Sequence, residues 1–162
     1  MVRAIYPGSF DPMTLGHLDI IQRSTRLFDE VIMTVVGNPS KSSLLPVEVR
    51  TALIEETIKN LQGVRVGSFL GLTVDYARQN GISVLIRGLR AISDFEAELG
   101  MAQTNKQLFP ELETIFLMSK AEYSFISSST VKEIARLGGD VSQFVPSPVN
   151  EYLKQHFSRG TR

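Results

Sequence analysis

The chain has 162 residues, 43% of them hydrophobic, with 17 basic side chains, 17 acidic side chains and no cysteine. This size supports one packed domain, 1–162, and the lack of cysteine excludes disulfides, thiolate catalysis and a cysteine zinc site. The balanced charge gives no general attraction for nucleic acid or anionic lipid, and no apolar run approaches a membrane-spanning length. We therefore expect a cytoplasmic protein without nucleic-acid or membrane partners.

Strand-like runs rich in β-branched residues alternate with helical patterns, which is typical of βαβ units around a parallel sheet. The predicted strands, whose apolar character indicates cover on both faces, are 3–6, 31–36, 64–69, 84–87 and 114–118. The predicted helices are 16–28, 46–60, 73–80, 93–108 and 130–137, then a short helix from Ser147 and a frayed tail, 158–162. We predict an α/β fold: a doubly wound, Rossmann-like five-stranded parallel sheet with helices on both faces, plus C-terminal helices.

Local signals mark several helix ends. In chain order they are Pro46 at a first helical position, Asn80-Gly81 at a C-terminal cap, and possible capping boxes at Ser93/Glu96 and Thr130/Glu133. In a doubly wound sheet the loops after the strands converge at the carboxyl edge, so the loops that follow the predicted strands indicate one shared ligand site.

The loop after the first strand reads Y-P-G-S-F-D-P-M-T-L-G-H over residues 6–17 and leads into an amphipathic helix. Its prolines fix the backbone, its glycines allow close approach to a ligand, and the free N–H groups of the helix's first turn attract an anion. The positive helix end disfavours an imidazolium, so we interpret His17 as a neutral N–H donor to a phosphate oxygen. The alternative is a histidine that only packs or faces water.

Cationic side chains follow two other strands. Arg87 and Arg90 flank Gly88-Leu89 where an apolar strand ends, and a guanidinium can grip phosphate oxygens in a fork. Lys41 adds a cation from another loop, although a single loop lysine is usually solvated. The alternative for the two arginines is ordinary salt bridges to nearby carboxylates, namely Asp94, Glu96 or Glu98.

Residues 123–129 read Y-S-F-I-S-S-S, and Thr130 extends the final hydroxyls to four in succession. One of these hydroxyls is expected to cap the helix that follows. The others, with the free amides of that helix, suit the β- and γ-phosphates of a nucleotide or a departing pyrophosphate.

Several common catalytic patterns are missing from the sequence. It has no G-x-x-x-x-G-K-[ST] loop, no G-x-G-x-x-G after the first strand, no serine nucleophile elbow and no H-E-x-x-H motif. Its acidic residues show no paired-carboxylate arrangement. These absences disfavour P-loop hydrolysis, dinucleotide redox chemistry and zinc-dependent proteolysis.

Four stretches resemble, in order and spacing, the bacterial phosphopantetheine adenylyltransferases. They are residues 6–17, P-S-K at 39–41, L-I-R-G-L-R at 85–90 with D-F-E at 94–96, and S-F-I-S-S-S at 124–129. The T-x-G-H motif is shared with the wider nucleotidyltransferase superfamily, whereas the third and fourth stretches make the identification specific. The resemblance implies reversible adenylyl transfer from ATP to 4'-phosphopantetheine, which gives dephospho-coenzyme A and pyrophosphate in coenzyme A biosynthesis.

The resemblance also implies the site residues. The implied catalytic residues are His17, which stabilises charge on the α-phosphate, Lys41 and Arg90. Phosphopantetheine is implied to bind at Ser9, Lys41, Thr73 and Arg87. ATP is implied to bind at Ser9, Phe10, His17, Gly88, Leu89, Arg90, Glu98, Tyr123, Ser124, Phe125, Ile126, Ser127, Ser128 and Ser129.

The implied acceptor is already an anionic nucleophile, so direct in-line attack needs neither a general base nor a covalent enzyme intermediate. Magnesium is expected to be carried with ATP rather than held in a protein metal site. The resemblance implies a homohexamer. Two alternatives stay open: another adenylyl- or cytidylyltransferase of the superfamily, acting on nicotinamide mononucleotide or, with CTP, on glycerol phosphate, and a non-catalytic nucleotide-binding module.

Overall fold

The computed structural model describes residues 1–37 and 42–158. Its strands are β1 (Arg3–Gly8), β2 (Glu30–Gly37), β3 (Val64–Leu70), β4 (Val84–Leu89) and β5 (Glu113–Met118). Its helices are α1 (Leu15–Ser24), α2 (Val47–Ile58), α3 (Thr73–Gln79), α4 (Ile92–Leu108), α5 (Ser128–Arg136) and α6 (Ser147–Ser158), with a 3-10 turn at Ala121–Tyr123. None of the helices in these two ranges has both the length and the apolar character that a bilayer span requires.

The five strands form one parallel sheet in the order β3-β2-β1-β4-β5. The chain moves outward from β1 to β3 and then returns to the other side of β1, so the strand order reverses between β1 and β4. In such sheets ligands bind beyond the carboxyl ends of the strands at this point of reversal. The predicted doubly wound, Rossmann-like fold is confirmed.

The sheet is covered on both faces. Strand side chains alternate between the faces: Ala4 and Met33 join a buried cluster that also contains residues of α1, α2, α5 and α6. Ile5 and Ile32 point the other way and pack with Ala77 of α3. The prediction of helices on both faces is therefore confirmed.

Two helix boundaries differ from the prediction. The first helix ends at Ser24 rather than at 28, because the amides of Arg26 and Leu27 bond to carbonyls three residues earlier and so leave the α-helical pattern. Pro46 has a ψ of 154° and immediately precedes α2, so it is the N-cap residue rather than the first helical one. The predicted cap after α3 is confirmed, since Gly81 has a φ of 63°.

The two predicted capping boxes are wrong. Ala91 is extended and Ile92 already begins α4, so Ser93 lies inside the helix rather than at its N-cap. Ser127 is the N-cap of α5, and its side chain accepts a hydrogen bond from the Thr130 amide. Thr130 is therefore the third helical residue, and it cannot cap the helix in which it lies.

A buried carboxylate joins three segments next to the carboxyl edge of the sheet. Asp11 is 4% exposed and accepts hydrogen bonds from the Leu44 amide at 2.9 Å, the Leu45 amide at 2.8 Å and the Lys132 ammonium at 3.0 Å. Burial alone would raise the pKa of the Asp11 carboxyl, but these donors outweigh burial and hold that pKa below its usual value. The opening loop, the start of α2 and α5 are thereby fixed to one another.

Arg50 reinforces the same junction. It is 3% exposed, and its Nη1 donates to the Ser9 carbonyl at 2.6 Å while its Nε donates to the Leu45 carbonyl at 3.0 Å. A buried guanidinium is costly unless its N–H groups find acceptors, and here backbone carbonyls supply them. Asp11 thus accepts hydrogen bonds across this junction, and Arg50 donates them.

Asp11→Asn tests this junction. We expect a loss of about 2 kcal/mol in the free energy of unfolding near neutral pH. The asparagine side chain keeps the shape of aspartate but is uncharged, so its nearly buried hydrogen bonds are weaker. The pKa of the Asp11 carboxyl is lower in the folded protein than in the unfolded chain, so this contribution is fully present above the unfolded pKa and is lost as pH falls through the folded pKa.

Urea unfolding of the two proteins at about pH 6 and about pH 3 measures the difference. The difference between their free energies of unfolding should be smaller at the lower pH. Asp75→Asn, which replaces an exposed carboxylate on α3, is the control. A gap that stays constant across this pH range would contradict the assigned role of the Asp11 charge.

Candidate active site

A cavity of about 400 Å³ opens beyond the carboxyl ends of β1 and β4, where the strand order reverses. Its wall is built from the end of β1 and the opening loop, the first turns of α1 and α5, the end of β4 and one side of α4. Eleven of the predicted site residues line it: Ser9, Phe10, His17, Arg87, Gly88, Arg90, Glu98, Ile126, Ser127, Ser128 and Ser129.

The His17 ring is oriented by the start of its own helix. Thr14 is the N-cap of α1; its hydroxyl accepts from the His17 amide, and its own amide donates to Nδ1 of the His17 ring at 3.0 Å. A nitrogen that accepts this bond carries no proton, so the neutral ring holds its proton on Nε2. The Phe10 ring packs against the same imidazole in a T-shaped arrangement, with ring centroids 5.1 Å apart.

The imidazole is held in the neutral form. Burial lowers the pKa of His17 to about 4, and the charges of Arg90 and Arg87 act in the same direction. The neutral ring agrees with the interpretation from the sequence, although the causes here are burial and the two arginines. At neutral pH the ring therefore offers an Nε2–H donor at the cavity.

Arg87 reaches the cavity from β4 and already has a carboxylate partner. Its Nε and Nη2 donate to the two oxygens of Glu98, both at 2.7 Å, and its Nη1 donates to the Pro7 carbonyl at 2.8 Å. Burial alone would lower the pKa of Arg87, but the bonds and charge of Glu98 raise it above its usual value. Each Nη carries two N–H groups, so one on each stays available to a ligand.

Arg90 lies at the rim of the same cavity. Its Nε donates to Asp94 and its Nη1 to the Ile126 carbonyl, both at 3.2 Å, so it joins α4 to the segment before α5. The salt bridges weighed as an alternative for these arginines therefore do form. Both side chains nevertheless line the cavity, and their positive charge acts on His17.

The hydroxyls before α5 have distinct positions. Ser127 caps the helix and contacts the Thr130 hydroxyl at 2.8 Å, while Ser128 donates to the Pro12 carbonyl at 2.8 Å. Structural hydrogen bonds thus account for three of the four hydroxyls, more than the single one expected. Ser129 remains at the cavity, together with the first-turn amides of α5.

Some predicted residues lie away from the cavity wall or outside the described residues. Thr73 begins α3, and Leu89 is buried at 6% exposure. Of the segment before α5, Tyr123 lies against Gly16, Ser124 donates to the Ala121 carbonyl, and Phe125 is 69% exposed. Lys41 falls outside the described residues.

Comparisons with known proteins identify the family of the chain. A family profile described as cytidylyltransferase-like matches residues 5–134. The phosphopantetheine adenylyltransferase of Picosynechococcus sp. is 58% identical over 154 residues, which cover 95% of this chain and 86% of that protein. Those of Crocosphaera subtropica and Desulforudis audaxviator are 57% and 53% identical, again over 95% of this chain and over 98% and 94% of their own lengths. The chain belongs to the phosphopantetheine adenylyltransferases.

A solved structure supports the fold of this family member. The crystal structure of a protein assigned as a nicotinate-nucleotide adenylyltransferase from Vibrio parahaemolyticus matches with a TM-score of 0.71 over 95% of this chain and 99% of that one. The two sequences are 21% identical, so the likeness shows a shared architecture only.

Several residues that line the cavity of this phosphopantetheine adenylyltransferase were not predicted as site residues, among them Tyr6, Asp94 and Ser119. Asp94 was weighed only as a partner for an arginine, which it is. Ser119 follows β5 directly, at the edge where the loops were expected to converge. Tyr6 belongs to the opening motif itself, but it was interpreted as the last residue of a buried strand rather than as a site residue.

The tautomer and charge of His17 are directly measurable. In long-range ¹H–¹⁵N spectra of the ligand-free protein we expect a non-protonated Nδ1, a protonated Nε2 and a titration midpoint of about 4. A His17→Gln variant identifies the signals by their disappearance. A proton on Nδ1, or a titration midpoint near the ordinary histidine pKa of 6.5, would contradict the described geometry.

Proposed function

We propose that this chain transfers the adenylyl group of ATP to 4'-phosphopantetheine, which gives dephospho-coenzyme A and pyrophosphate in coenzyme A biosynthesis. The relatives that cover almost the whole chain carry this enzyme name. The observation that carries the proposal is one cavity in which the Nε2–H of His17, two guanidinium groups and the amides of a helix N-terminus meet. This arrangement suits several phosphates at once.

The reaction is a direct displacement. An oxygen of the phosphopantetheine phosphate forms a bond to the α-phosphorus of ATP, and the bond from that phosphorus to the oxygen bridging the α- and β-phosphates breaks. Pyrophosphate leaves with the bonding electron pair. The attacking oxygen is already anionic, so the protein contributes alignment and charge neutralisation.

His17 is the central residue of this mechanism. Its Nε2–H donates to a non-bridging oxygen of the α-phosphate, where negative charge builds as the new bond forms. The Thr14 amide fixes the ring and its tautomer beforehand, so no reorientation is needed during the reaction. A neutral donor also avoids binding the ground-state phosphate as strongly as an imidazolium would.

We assign the two substrates to opposite sides of His17. ATP is proposed to bind the β4 and α5 side, with its β- and γ-phosphates at the amides of Ser128 and Ser129; the proposed contacts there are Ser9, Phe10, Gly88, Leu89, Arg90, Glu98, Tyr123, Ser124, Phe125, Ile126 and Ser127. Phosphopantetheine is proposed to bind at Ser9, Lys41, Thr73 and Arg87. Lys41 and Arg90 complete the proposed catalytic set by neutralising phosphate charge.

Magnesium is proposed to arrive bound to the triphosphate. In residues 1–37 and 42–158 no group of three or more histidine, aspartate or glutamate side chains is arranged to hold a metal ion. The residues described at the cavity instead supply cations and N–H donors, which suit phosphate oxygens. Magnesium supplies further neutralisation of phosphate charge when bound.

An acceptor screen tests the proposed function. The chain is incubated with magnesium and ATP plus 4'-phosphopantetheine, nicotinamide mononucleotide or glycerol phosphate, and with CTP plus glycerol phosphate. We expect pyrophosphate release and a product of dephospho-coenzyme A mass only with ATP and phosphopantetheine. Product with another acceptor, or stoichiometric ATP binding without turnover, would contradict the proposal.

The same screen includes a matched pair of variants. His17→Ala should lower turnover with phosphopantetheine by about a hundredfold or more, because it removes a donor that acts on developing charge. His156→Ala, which removes an exposed imidazole from α6, should leave turnover unchanged. The thermal midpoints of both variants show whether the fold persists.

We also propose a homohexamer in the cytoplasm. Apolar side chains stand exposed along α4, among them Phe95 at 40%, Met101 at 57% and Leu108 at 49%, which fits a helix covered by a neighbouring subunit. Light scattering should give a mass near six chains of 18.0 kDa each. A stable monomer or dimer at micromolar concentration would contradict the assembly.

A further inference from the structure

The Tyr6 hydroxyl is a polar group in the cavity wall without a hydrogen-bond partner. Tyr6 lies in β1, is only 4% exposed and lines the cavity beside His17. Its oxygen has no donor or acceptor partner anywhere in the described part of the chain. Because Tyr6 lines the cavity, a ligand group bound there can supply the partner that the described part of the protein does not.

Packing fixes where this hydroxyl stands. The Tyr6 ring meets the Phe10 ring edge-on, with centroids 5.5 Å apart and planes at 79°, and its centroid is 6.4 Å from that of the His17 imidazole. A Cβ on Gly88 would come within 3.5 Å of the Tyr6 oxygen, so the absence of that atom keeps the space beside the hydroxyl open. The hydroxyl therefore lies beside Gly88 near the end of β4, and the Tyr6 ring stands near the neutral imidazole.

The charged groups around Tyr6 are held in pairs. Arg87 and Arg90 act on the phenol, as do the carboxylates of Glu98 and Asp19. Both carboxylates are already paired: Glu98 with Arg87, and Asp19 with two cations, Arg23 at 3.1 Å and Lys120 at 3.4 Å. Asp94 pairs with Arg90 at 3.2 Å in the same way, so a ligand group that enters meets oriented guanidinium N–H donors rather than an excess of unpaired charge.

We propose that the Tyr6 hydroxyl donates a hydrogen bond to a phosphoryl oxygen of the substrate bound in this cavity, next to the phosphate that His17 contacts. The assignment rests on the proposed nucleotidyl transfer and adds a substrate-contacting residue to it. Burial raises the pKa of the Tyr6 phenol well above its usual range, so the group stays protonated and acts as a donor rather than as a base.

Tyr6→Phe is the closest test, because it removes one oxygen and keeps the ring that packs on Phe10 and His17. We expect kcat/KM for ATP and phosphopantetheine to fall roughly tenfold to a hundredfold, as for other hydrogen bonds to charged groups. This decrease in kcat/KM should be accompanied by a higher Kd for ATP, measured by calorimetry, or by a lower kcat. Tyr152→Phe on α6 is the control and should behave as the parent.

A second measurement does not depend on turnover or on the variant's stability. The parent chain carries four tyrosines, so ¹³Cζ-labelled tyrosine gives four signals. The Tyr6 signal is identified from Tyr6→Phe or, by elimination, from Phe variants of Tyr76, Tyr123 and Tyr152. Addition of pyrophosphate or ATP with magnesium should shift the Tyr6 signal and leave that of Tyr152 in place.

The outcomes separate the two proposals. If the parent chain fails the acceptor screen, the proposed reaction is wrong, while a Tyr6 shift on adding ATP still supports the phosphate contact. If the Tyr6 signal does not move, and Tyr6→Phe matches the parent in ATP affinity and turnover, the role given to the hydroxyl is overturned.

Discussion

The pairing of the Asp11 carboxylate with two backbone amides and the Lys132 ammonium is the interaction on which the cavity depends. The opening loop, the start of α2 and α5 come from separate parts of the chain, and each contributes residues to the site or to its support. A carboxylate with charge-assisted bonds to three donors sets the distance between these segments more narrowly than apolar packing would. The Ser128 hydroxyl donates to the neighbouring Pro12 carbonyl and so adds a second bond between the opening loop and the start of α5.

The cavity combines neutral hydrogen-bond donors with charged donors that are already paired. His17 and Tyr6 are neutral, while Arg87 and Arg90 carry charge but are tied to Glu98 and Asp94. The ligand-free site is therefore not a set of unpaired cations, whose mutual repulsion would oppose folding. A phosphate that enters meets groups already oriented by their protein partners, which reduces the reorganisation needed to bind it.

Much of the fold and of the site could be predicted because both have local signatures. Apolar runs separated by helical patterns predicted every strand within two residues of its observed ends, and the doubly wound rule placed the strand-end loops together. His17, Arg87 and the hydroxyls before α5 were predicted from motifs that lie within a few residues of a strand or helix end.

Features that join distant residues escaped prediction. Asp11 and Lys132 lie 121 residues apart, and nothing in either neighbourhood indicates that they meet. The bidentate bond from Arg87 to Glu98 was one of several salt bridges the spacing allowed, and only the packing of α4 on β4 selects it. Helix starts such as Ala91 were missed because backbone geometry begins that helix without the side-chain cap that a sequence pattern can reveal.

The bond between the Thr14 amide and the His17 ring has a consequence for how this position can vary in evolution. One nitrogen both completes the helix cap and determines which nitrogen keeps the proton. Replacement of His17 by another donor would have to satisfy the Thr14 amide and, at the same time, project a neutral N–H into the cavity. The side chain of asparagine or glutamine has an acceptor and a donor for both tasks, but it lacks the rigid ring that holds the two nitrogen atoms of imidazole at a fixed separation. Substitution of His17 is therefore expected to be poorly tolerated.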